Sequence, residues 1–419
     1  MRHTTRNQQG GAIIITVALL LLFLLGFMGI ALDFGHLFVV KTELQTAMDS
    51  CALAAAQELD GAADALTRAT RAGKTAGNLN KVNFQGSAAG VVDEEVTFSD
   101  TLIGTYSHTF APVASARYAK CTHTKSGMAP WLLQALTAFT GNAAYSASQG
   151  VAALGVASRT PAQSSCAIPV AINPKAGGTP PNYGYVPGEW IPSLYDESPG
   201  GPASSDTTPG HFGWANLDGS SSASHTKAQL IGTGGCNLHL TDTVTPGAKV
   251  GASEAWNSRF GIYKNGAGNP TIDTAPPDLT GYSYTPVNWP TKAGAASDFL
   301  SKRATNRSFG NTVDTISAGN TITGLSISNS YKDNGMGTFA AGPRSLATHG
   351  ADRRLVLAPF VAGSKIVAFG CVLMLHPIDG PHVTVYLEYV GNAAALGSPC
   401  ASLGLAGGAG GPLVPVLVQ

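Results

Sequence analysis

The sequence predicts an α+β protein. An N-terminal transmembrane helix continues into a long amphipathic helix, followed by a small α+β unit and a mainly β extracytoplasmic domain with long Gly/Pro-rich loops. Three observations support this fold class. An uncharged apolar run extends from Ala12 to Leu32, and apolar residues then recur at helical spacing. The 419 residues also include 51 glycines and 25 prolines, which favour turns and short strands in the remainder.

The apolar run from Ala12 to Leu32 is long enough to span a bilayer, because about 20 helical residues cross the hydrocarbon core. Arg2 and Arg6 precede the run, and Asp33 follows it. The positive-inside rule therefore predicts a cytoplasmic tail at residues 1–11, a transmembrane helix at residues 12–32 and an outer location for the rest. A cleaved secretory signal is the alternative, but its apolar region normally has about 7–15 residues and ends at a small-x-small site, which this run lacks.

Beyond the span, apolar residues continue along one face of a helix. No proline or glycine occurs between Gly35 and Gly61, so we expect an unbroken helix with residues 33–72 as an extended stalk or packing helix. It could form a stalk, dock on its own domain or pack against another membrane protein, and its many alanines favour close helix–helix contact. The predicted packing face consists of Leu37, Val40, Leu44, Met48, Cys51, Ala55 and Leu59.

The N-terminal segment carries a recognisable combination of features. A basic N-terminus leads into an apolar span that ends in GIALDFGHLFVVKTELQTAMDS, and ALAAAQEL closes the helix. This combination resembles TadE/TadG-like Flp pilus-assembly proteins, part of a bacterial envelope machine that builds adhesive pili. The family's membrane-anchor signature corresponds to Ala31, Asp33 and Gly35. The resemblance is close over about the first 60 residues and looser to about residue 157. It implies an inner-membrane protein whose bulk is periplasmic.

Two features of related proteins are missing from the sequence. Proteins cut by prepilin peptidase usually have an acidic fifth residue after the cleavage-site glycine, where this chain has Ile15 or Thr16, so we expect a permanent anchor. Many TadG-like proteins also carry a von Willebrand A module, whose metal site needs Asp-x-Ser-x-Ser after a buried strand. Asp218, Ser220 and Ser222 have that spacing. We do not expect the preceding TPGHFGWAN to be a buried strand, so we predict neither this module nor a metal site.

The remaining chain is predicted to form two folded parts. Residues 80–157 should form a small α+β TadG-like unit, because EEVTFS and VASARYAKC alternate as half-buried strands and PWLLQALTAF suits a short helix. Residues 158–419 should form the mainly β domain. Its core strands are expected between Cys166 and Ile172 and between Arg353 and Gln419. The middle should consist of long loops and one helix at TKAGAASDFLSKRA.

All six cysteines follow the anchor and would therefore lie in an oxidising compartment, where disulfides form. We expect Cys166 to pair with Cys236 and Cys371 with Cys400, as sequence neighbours within the β domain. Cys51 is expected to be a buried helix residue without a disulfide. Buried free thiols are the alternative to these disulfides, and the sequence has no CxxC or HxxxH spacing typical of a metal site.

Charge and motifs argue against several functions. The 25 basic and 25 acidic residues cancel, whereas nucleic-acid binding needs an excess of positive charge. The sequence has no GxSxG or HExxH motif, and AGKT at residues 72–75 lacks the first glycine of a P-loop. We therefore predict no catalysis, no cofactor and no small-molecule substrate.

Aromatic residues in the Gly/Pro-rich loops are candidates for a surface that recognises protein or sugar. The alternative is that they pack the loops onto the sheet. The candidates are Tyr183, Tyr185, Trp190, Tyr195, Phe212 and Trp214.

The resemblance and the residue patterns together predict a non-enzymatic, membrane-anchored accessory subunit in Flp/Tad-type pilus assembly. It would act through protein–protein contacts, with the extended helix packed on assembly proteins and the β domain contacting pilin, the periplasmic channel or another subunit. A membrane-tethered binding or adhesion module outside pilus assembly is the alternative, and an enzyme of unidentified class comes third.

Overall fold

The computed structural model of the chain falls into two compact units. Unit 1 comprises Met1–Arg159 and Pro415–Gln419, and unit 2 comprises Thr160–Val414. Each unit contains its own hydrophobic core. The structure describes residues 10–132, 134, 137, 141–146, 148–162, 165–193, 209–220, 222–232, 234–246, 252–264, 268–306, 323–325, 331–332, 350–380, 384–400, 406, 408 and 410–419.

Unit 1 begins with one long helix, α1 (Gly10–Gln57). No proline occurs in this segment, so no backbone hydrogen bond is removed along its length. The predicted continuation of the apolar helix beyond the span is confirmed, but the extended helix predicted for residues 33–72 is wrong at its end. The chain turns at Gly61, whose φ of 84° suits glycine, and a second helix, α2 (Ala65–Leu79), packs back against α1.

A four-stranded sheet completes unit 1. Its strands are β3 (Val96–Ser99), β4 (Tyr118–Met128), β5 (Gln149–Pro161) and the C-terminal strand (Leu413–Leu417), and a short hairpin, β1 (Lys81–Val82) and β2 (Ser87–Ala88), precedes them. The strand order is C-terminal strand, β5, β4 and β3, and both β3–β4 and β4–β5 are antiparallel. The C-terminal strand was predicted in the core of the β domain, but it pairs in this sheet instead. The helix predicted at residues 130–139 lies mostly outside the described residues.

Unit 2 is built on a seven-stranded mixed sheet, in agreement with a strand-rich body. Its central hairpin is formed by two long strands, 355–362 and 365–374, whose β-branched and aromatic residues suit a buried sheet. The seven strands are β7 (Val170–Ile172), β8 (Trp190–Pro192), β9 (Phe212–Asn216), β11 (Thr245–Pro246), β14 (Leu355–Ala362), β15 (Lys365–Met374) and β16 (Tyr386–Asn392). Their order across the sheet is β11, β9, β7, β14, β15, β16 and β8. Two short strand pairs lie outside this sheet, β6 (Ser165–Ala167) with β10 (Gly235–Leu238) and β12 (Tyr263–Lys264) with β13 (Tyr331–Lys332).

The middle of unit 2 contains more regular structure than the sequence predicts. Strands β8 and β9 come from the region expected to form loops, and β9 is buried throughout. The helix predicted near residue 295 is present as α5 (Ala295–Asn306), and it is preceded by α3 (Ala223–Ile231) and α4 (Ala252–Ser258). Both additional helices are too short to carry a strong periodic signal.

The core of unit 2 lies on both faces of this sheet. One side is built around Trp256, Phe360 and Tyr389, and the other around Phe369 and Leu357. Disulfides join Cys166 to Cys236 and Cys371 to Cys400, the two pairs that the sequence predicts. These bonds link β6 to β10 and strand β15 to the segment after β16.

Candidate functional site

The first half of α1 is an exposed apolar rod. Among the described residues, this helix is long and apolar enough to cross a membrane. Its side chains between Ile13 and Leu32 are almost all solvent-exposed, with Phe23 at 64% and Leu19 at 63% of their full accessible area. Exposed apolar area of this extent is costly in water and is the normal surface of a helix in lipid.

The second half of α1 is a core element of unit 1. Val40, Leu44, Met48 and Ala55 are completely buried, and Leu59 is almost so. The spacing therefore located the apolar face correctly, but the hypothesis that this face packs on assembly partners is wrong. Helix α2 and the sheet of unit 1 cover it from Val40 onward, so the extended helix docks on its own domain. Leu37 is half-buried at the beginning of this face.

Small residues allow α1 and α2 to approach closely. A Cβ atom at Gly73 would lie 3.1 Å from both the Ala55 Cβ and the Cys51 carbonyl oxygen. A Cβ atom at Gly77 would lie 3.2 Å from the Cys51 Cβ. Since these distances are shorter than ordinary van der Waals contacts, the two glycines set the separation of the helices.

A disulfide fixes α1 on the sheet. Cys51 is bonded to Cys121 of β4, so the prediction that Cys51 has no disulfide is wrong. The helix also crosses β5 closely: the Gln45 amide donates to the Leu154 carbonyl at 2.6 Å, and Lys41 donates to the Ala152 carbonyl. A Cβ atom at Gly155 would meet the Met48 carbonyl oxygen at 2.8 Å, which explains glycine at this position. Unit 1 is therefore assembled directly on the helix that carries the apolar rod.

The signature residue Asp33 connects the end of the apolar span to a distant loop. Its carboxylate accepts hydrogen bonds from the backbone N–H groups of Trp131 at 2.8 Å and Leu132 at 3.1 Å, and it is 4% exposed. The other two signature residues are small rather than bonded: Ala31 is exposed, and a Cβ atom at Gly35 would meet nothing within 4 Å. One turn beyond Asp33, the His36 ring stacks on Trp131 with centroids 4.4 Å apart.

An open groove of about 500 Å³ lies along the outer face of α2. Arg71 and Lys74 line it with positive charge, and Lys74 forms a 2.7 Å ion pair with Asp93. Leu66 and Phe110 supply apolar lining. A groove with a mixed apolar and charged lining suits a peptide segment or a protein edge, because apolar contact supplies affinity and charge supplies orientation. Sequence reasoning missed this groove because its walls come from segments about 40 residues apart.

The residues with von Willebrand A spacing lie in a tight turn. The expectation that no buried strand precedes Asp218 is wrong, since β9 ends two residues earlier. The oxygens are nevertheless engaged locally: Asp218 accepts from His225 and from the Ser220 N–H, and the Ser222 hydroxyl contacts that of Ser224 at 2.6 Å. Strand β9 is antiparallel to both β7 and β11, unlike the parallel arrangement of a doubly wound sheet. In the described part of the chain, no group of three or more His, Cys, Asp or Glu residues is placed to hold a metal ion.

The predicted recognition aromatics are core residues, so this prediction is wrong for those that the structure describes. Tyr185, Phe212 and Trp214 are less than 5% exposed, and Trp190 is 6% exposed. Tyr183 is half-buried against Phe360, with ring centroids 5.0 Å apart. The Gly/Pro-rich sequence around them concealed two short strands, β8 and β9, which carry Trp190, Phe212 and Trp214. Tyr195 lies outside the described residues.

Buried charges in unit 2 were not predicted. Arg354 is completely buried, stacks on Phe260 at 4.3 Å and donates to the carbonyls of Tyr282 and Met374. Burial and the neighbouring Arg353 lower the pKa of Arg259, whose guanidinium donates to the Leu230 carbonyl at 3.0 Å. Because these donors bond backbone carbonyls of β15, α3 and the loop at Tyr282, they connect these elements inside unit 2.

A buried carboxylate in unit 2 also bonds groups from separate elements. Glu388 on β16 accepts hydrogen bonds from the Trp190 indole at 2.8 Å and from the N–H groups of Ala295 and Ala296 at 2.7 and 2.8 Å. Burial raises its pKa, and the three hydrogen bonds oppose that shift. The carboxylate thus holds the N-terminus of α5 on the sheet. These buried polar groups are therefore hydrogen-bonded within the fold.

Comparison with known proteins assigns only the N-terminal helix. Residues 10–58 match the family model described as putative Flp pilus-assembly TadE/G-like. No curated protein and no solved structure matches the chain. The matched residues coincide with α1, which includes both the exposed apolar rod and the buried half carrying Cys51. The resemblance inferred from the sequence is therefore confirmed for residues 10–58, which are similar to the TadE/G-like Flp pilus-assembly family.

Proposed function

We propose that the chain is a membrane-anchored, non-enzymatic accessory subunit of Flp/Tad-type pilus assembly that acts through protein–protein contacts. The observation that carries this proposal is the coincidence of the TadE/G-like match with α1. The matched helix is both the candidate membrane span and the core of unit 1. An anchor built into the fold in this way would hold unit 1 at a fixed height above the membrane.

The cysteines support an extracytoplasmic location for the body of the protein. All six form disulfides, Cys51–Cys121, Cys166–Cys236 and Cys371–Cys400. Such bonds persist in oxidising compartments such as the bacterial periplasm and are rare in the cytoplasm. The basic residues before the span favour the same orientation, with a cytoplasmic N-terminus in the inner membrane and a periplasmic bulk.

The groove on α2 is our candidate for the contact with an assembly protein or pilin. The predicted packing face of α1 is occupied within unit 1, so a partner must bind elsewhere. The groove is open, has apolar lining from Leu66 and Phe110, and exposes the Arg71 side chain at its rim. A partner segment with apolar residues beside a carboxylate would complement this lining.

Deleting the gene and counting surface pili by electron microscopy tests this function. Loss of pili, restored by the full-length protein, is the expected result. In the same strain, Arg71→Glu should reduce pilus number because it reverses charge in the groove. Lys365→Glu is the matched control, since it makes the same charge change at the exposed first residue of β15 in unit 2. Unchanged piliation after deletion would overturn the assembly role and favour a membrane-tethered binding or adhesion module.

A further inference from the structure

The apolar outer surface of α1 does not end where the sequence predicts the span to end. Between Val17 and Val40, only Asp33 and His36 have polar side chains. Both are buried, at 4% and 8% exposure. The side chains that face outward beyond the predicted span remain apolar, with Phe34 at 51%, Phe38 at 70% and Val39 at 38%.

The length of this surface exceeds the hydrocarbon core. From Ile13 to Val39 the helix rises about 40 Å at roughly 1.5 Å per residue, whereas the hydrocarbon core is about 30 Å thick. The excess of roughly 10 Å begins near Leu32 and contains Asp33 and His36. A helix anchored through residues 12–32 would therefore carry these two residues into the interfacial layer, where headgroups meet acyl chains.

Two segments of unit 1 cover the polar side chains at this level. The carboxylate of Asp33 is bonded to the N–H groups of Trp131 and Leu132. The Nε2–H of His36 donates to the Asn83 Oδ1 at 2.7 Å, and its ring stacks on Phe84 with centroids 5.2 Å apart. Residues 83–85 and 130–132 thus form what we call the collar, two short segments held against α1 just beyond the span.

The collar turns apolar side chains outward. Phe84 is 55% exposed, Trp131 is 53% exposed and Leu132 is 41% exposed. The turn at Phe84 is held in an unfavourable backbone region, because Asn83, Phe84 and Gln85 have φ values of 62°, 55° and 62°. Glu43 supports this turn by accepting from the Phe84 N–H at 3.1 Å. A strained turn and an exposed phenylalanine ring both cost free energy in water. An apolar environment around the Phe84 ring would remove the second of these costs.

We propose that the collar inserts Phe84, Trp131 and Leu132 into the interfacial layer of the outer leaflet of the membrane. The partner is lipid, because the collar is bonded to α1 at Asp33 and His36, within about one turn of the end of the predicted span, and its exposed apolar side chains adjoin the apolar rod. Trp is enriched at this depth, and Trp, Phe and Leu form the buried apolar face of helices that lie in the interface. The proposal rests on the membrane anchoring in the proposed function and is independent of any role in pili.

Quenching of tryptophan fluorescence by brominated lipid tests the proposal. The full-length protein is reconstituted into phosphatidylcholine/phosphatidylglycerol vesicles whose acyl chains are brominated close to the headgroup. Trp131 is the tryptophan of unit 1, and the other four of the five belong to unit 2. We expect quenching of the wild-type protein and loss of that quenching in Trp131→Phe. The matched control Trp289→Phe, which removes a half-buried tryptophan of unit 2, should be quenched like the wild type.

The outcomes separate this proposal from the anchoring on which it rests. Flotation with the vesicles measures anchoring, and intact Cys51–Cys121 in non-reducing peptide mapping measures folding of unit 1. A protein that floats but shows equal quenching before and after Trp131→Phe overturns the collar proposal while leaving the anchor intact, and the exposed rings would then be free for a protein partner. A protein that does not float overturns both. Phe84→Trp in the Trp131→Phe background should restore quenching, which a purely structural role for Trp131 would not produce.

Discussion

Removal of the Cys51–Cys121 disulfide should destabilise unit 1 by about 4 kcal/mol. The bond joins residues with a sequence separation of 70. Closing a loop of that length removes roughly 15 cal/mol/K of entropy from the unfolded chain, or about 4 kcal/mol at 298 K. Both cysteines are completely buried, so substitution by alanine leaves no unsatisfied polar group. The double variant Cys51→Ala/Cys121→Ala should therefore retain the fold of unit 1 with a much smaller free energy of unfolding.

Hydrogen exchange of the full-length protein in detergent micelles measures this loss separately for each unit. The matched control is Cys166→Ala/Cys236→Ala, because that bond also has a sequence separation of 70 but lies in unit 2. We expect the slowest amides of β4 to exchange about a thousandfold faster in the first variant, since about 4 kcal/mol corresponds to that factor. Those of β15 should respond only in the control. Unchanged exchange in β4 after removal of Cys51–Cys121 would refute the reasoning.

Three further predictions concern packing, pH and the membrane-proximal end. Gly73→Leu should destabilise unit 1 by about 1–3 kcal/mol, because the α1–α2 contact has no room for a side chain, whereas the exposed Thr75→Leu should change thermal stability little. Burial lowers the pKa of His376 from 6.5 to about 4 in the folded protein. Because the unfolded chain therefore binds the proton first, the free energy of unfolding of unit 2 should decrease by about 3 kcal/mol as the pH falls from about 6.5 to about 4. A series of denaturation curves over this pH range should show the decrease in the wild type and not in His376→Gln. Asp33→Ala should cost about 1–3 kcal/mol and increase exchange at Trp131 and Leu132, and unaltered exchange there would contradict the assigned contact.

The sequence predicted α1 well because its signals are local. An uncharged run and the absence of proline determine a helix without reference to the rest of the chain. The elements that cover the second half of the helix, in contrast, depend on the tertiary structure. The apolar spacing identified the buried face, but its partner is α2, whose Gly73 and Gly77 four residues apart were the available signal for close helix packing. Cys51 was assigned no disulfide because it lies on the buried apolar face of a helix, and only the folded sheet brings Cys121 of β4 next to it.

The errors in unit 2 have a different cause. Strands β8 and β9 have three and five residues, too few for alternation to stand out in a Gly/Pro-rich region. The rings that these strands carry were therefore interpreted as surface groups. Buried Arg354 and Glu388 were not predicted because a charged residue in sequence is expected at the surface, and only the folded chain supplies the carbonyl and N–H groups that satisfy them.

The most direct test of the account compares anchored and unanchored protein in the deletion strain. One complementing gene encodes the full-length chain, and the other encodes residues 33–419 behind a cleavable secretory signal, which retains Asp33, His36 and the Cys51–Cys121 bond. The account predicts that electron microscopy shows normal pilus numbers with the full-length protein and few or none with the secreted one, although both are folded and oxidised. Equal piliation by the two proteins would contradict a function that depends on α1 as a membrane anchor.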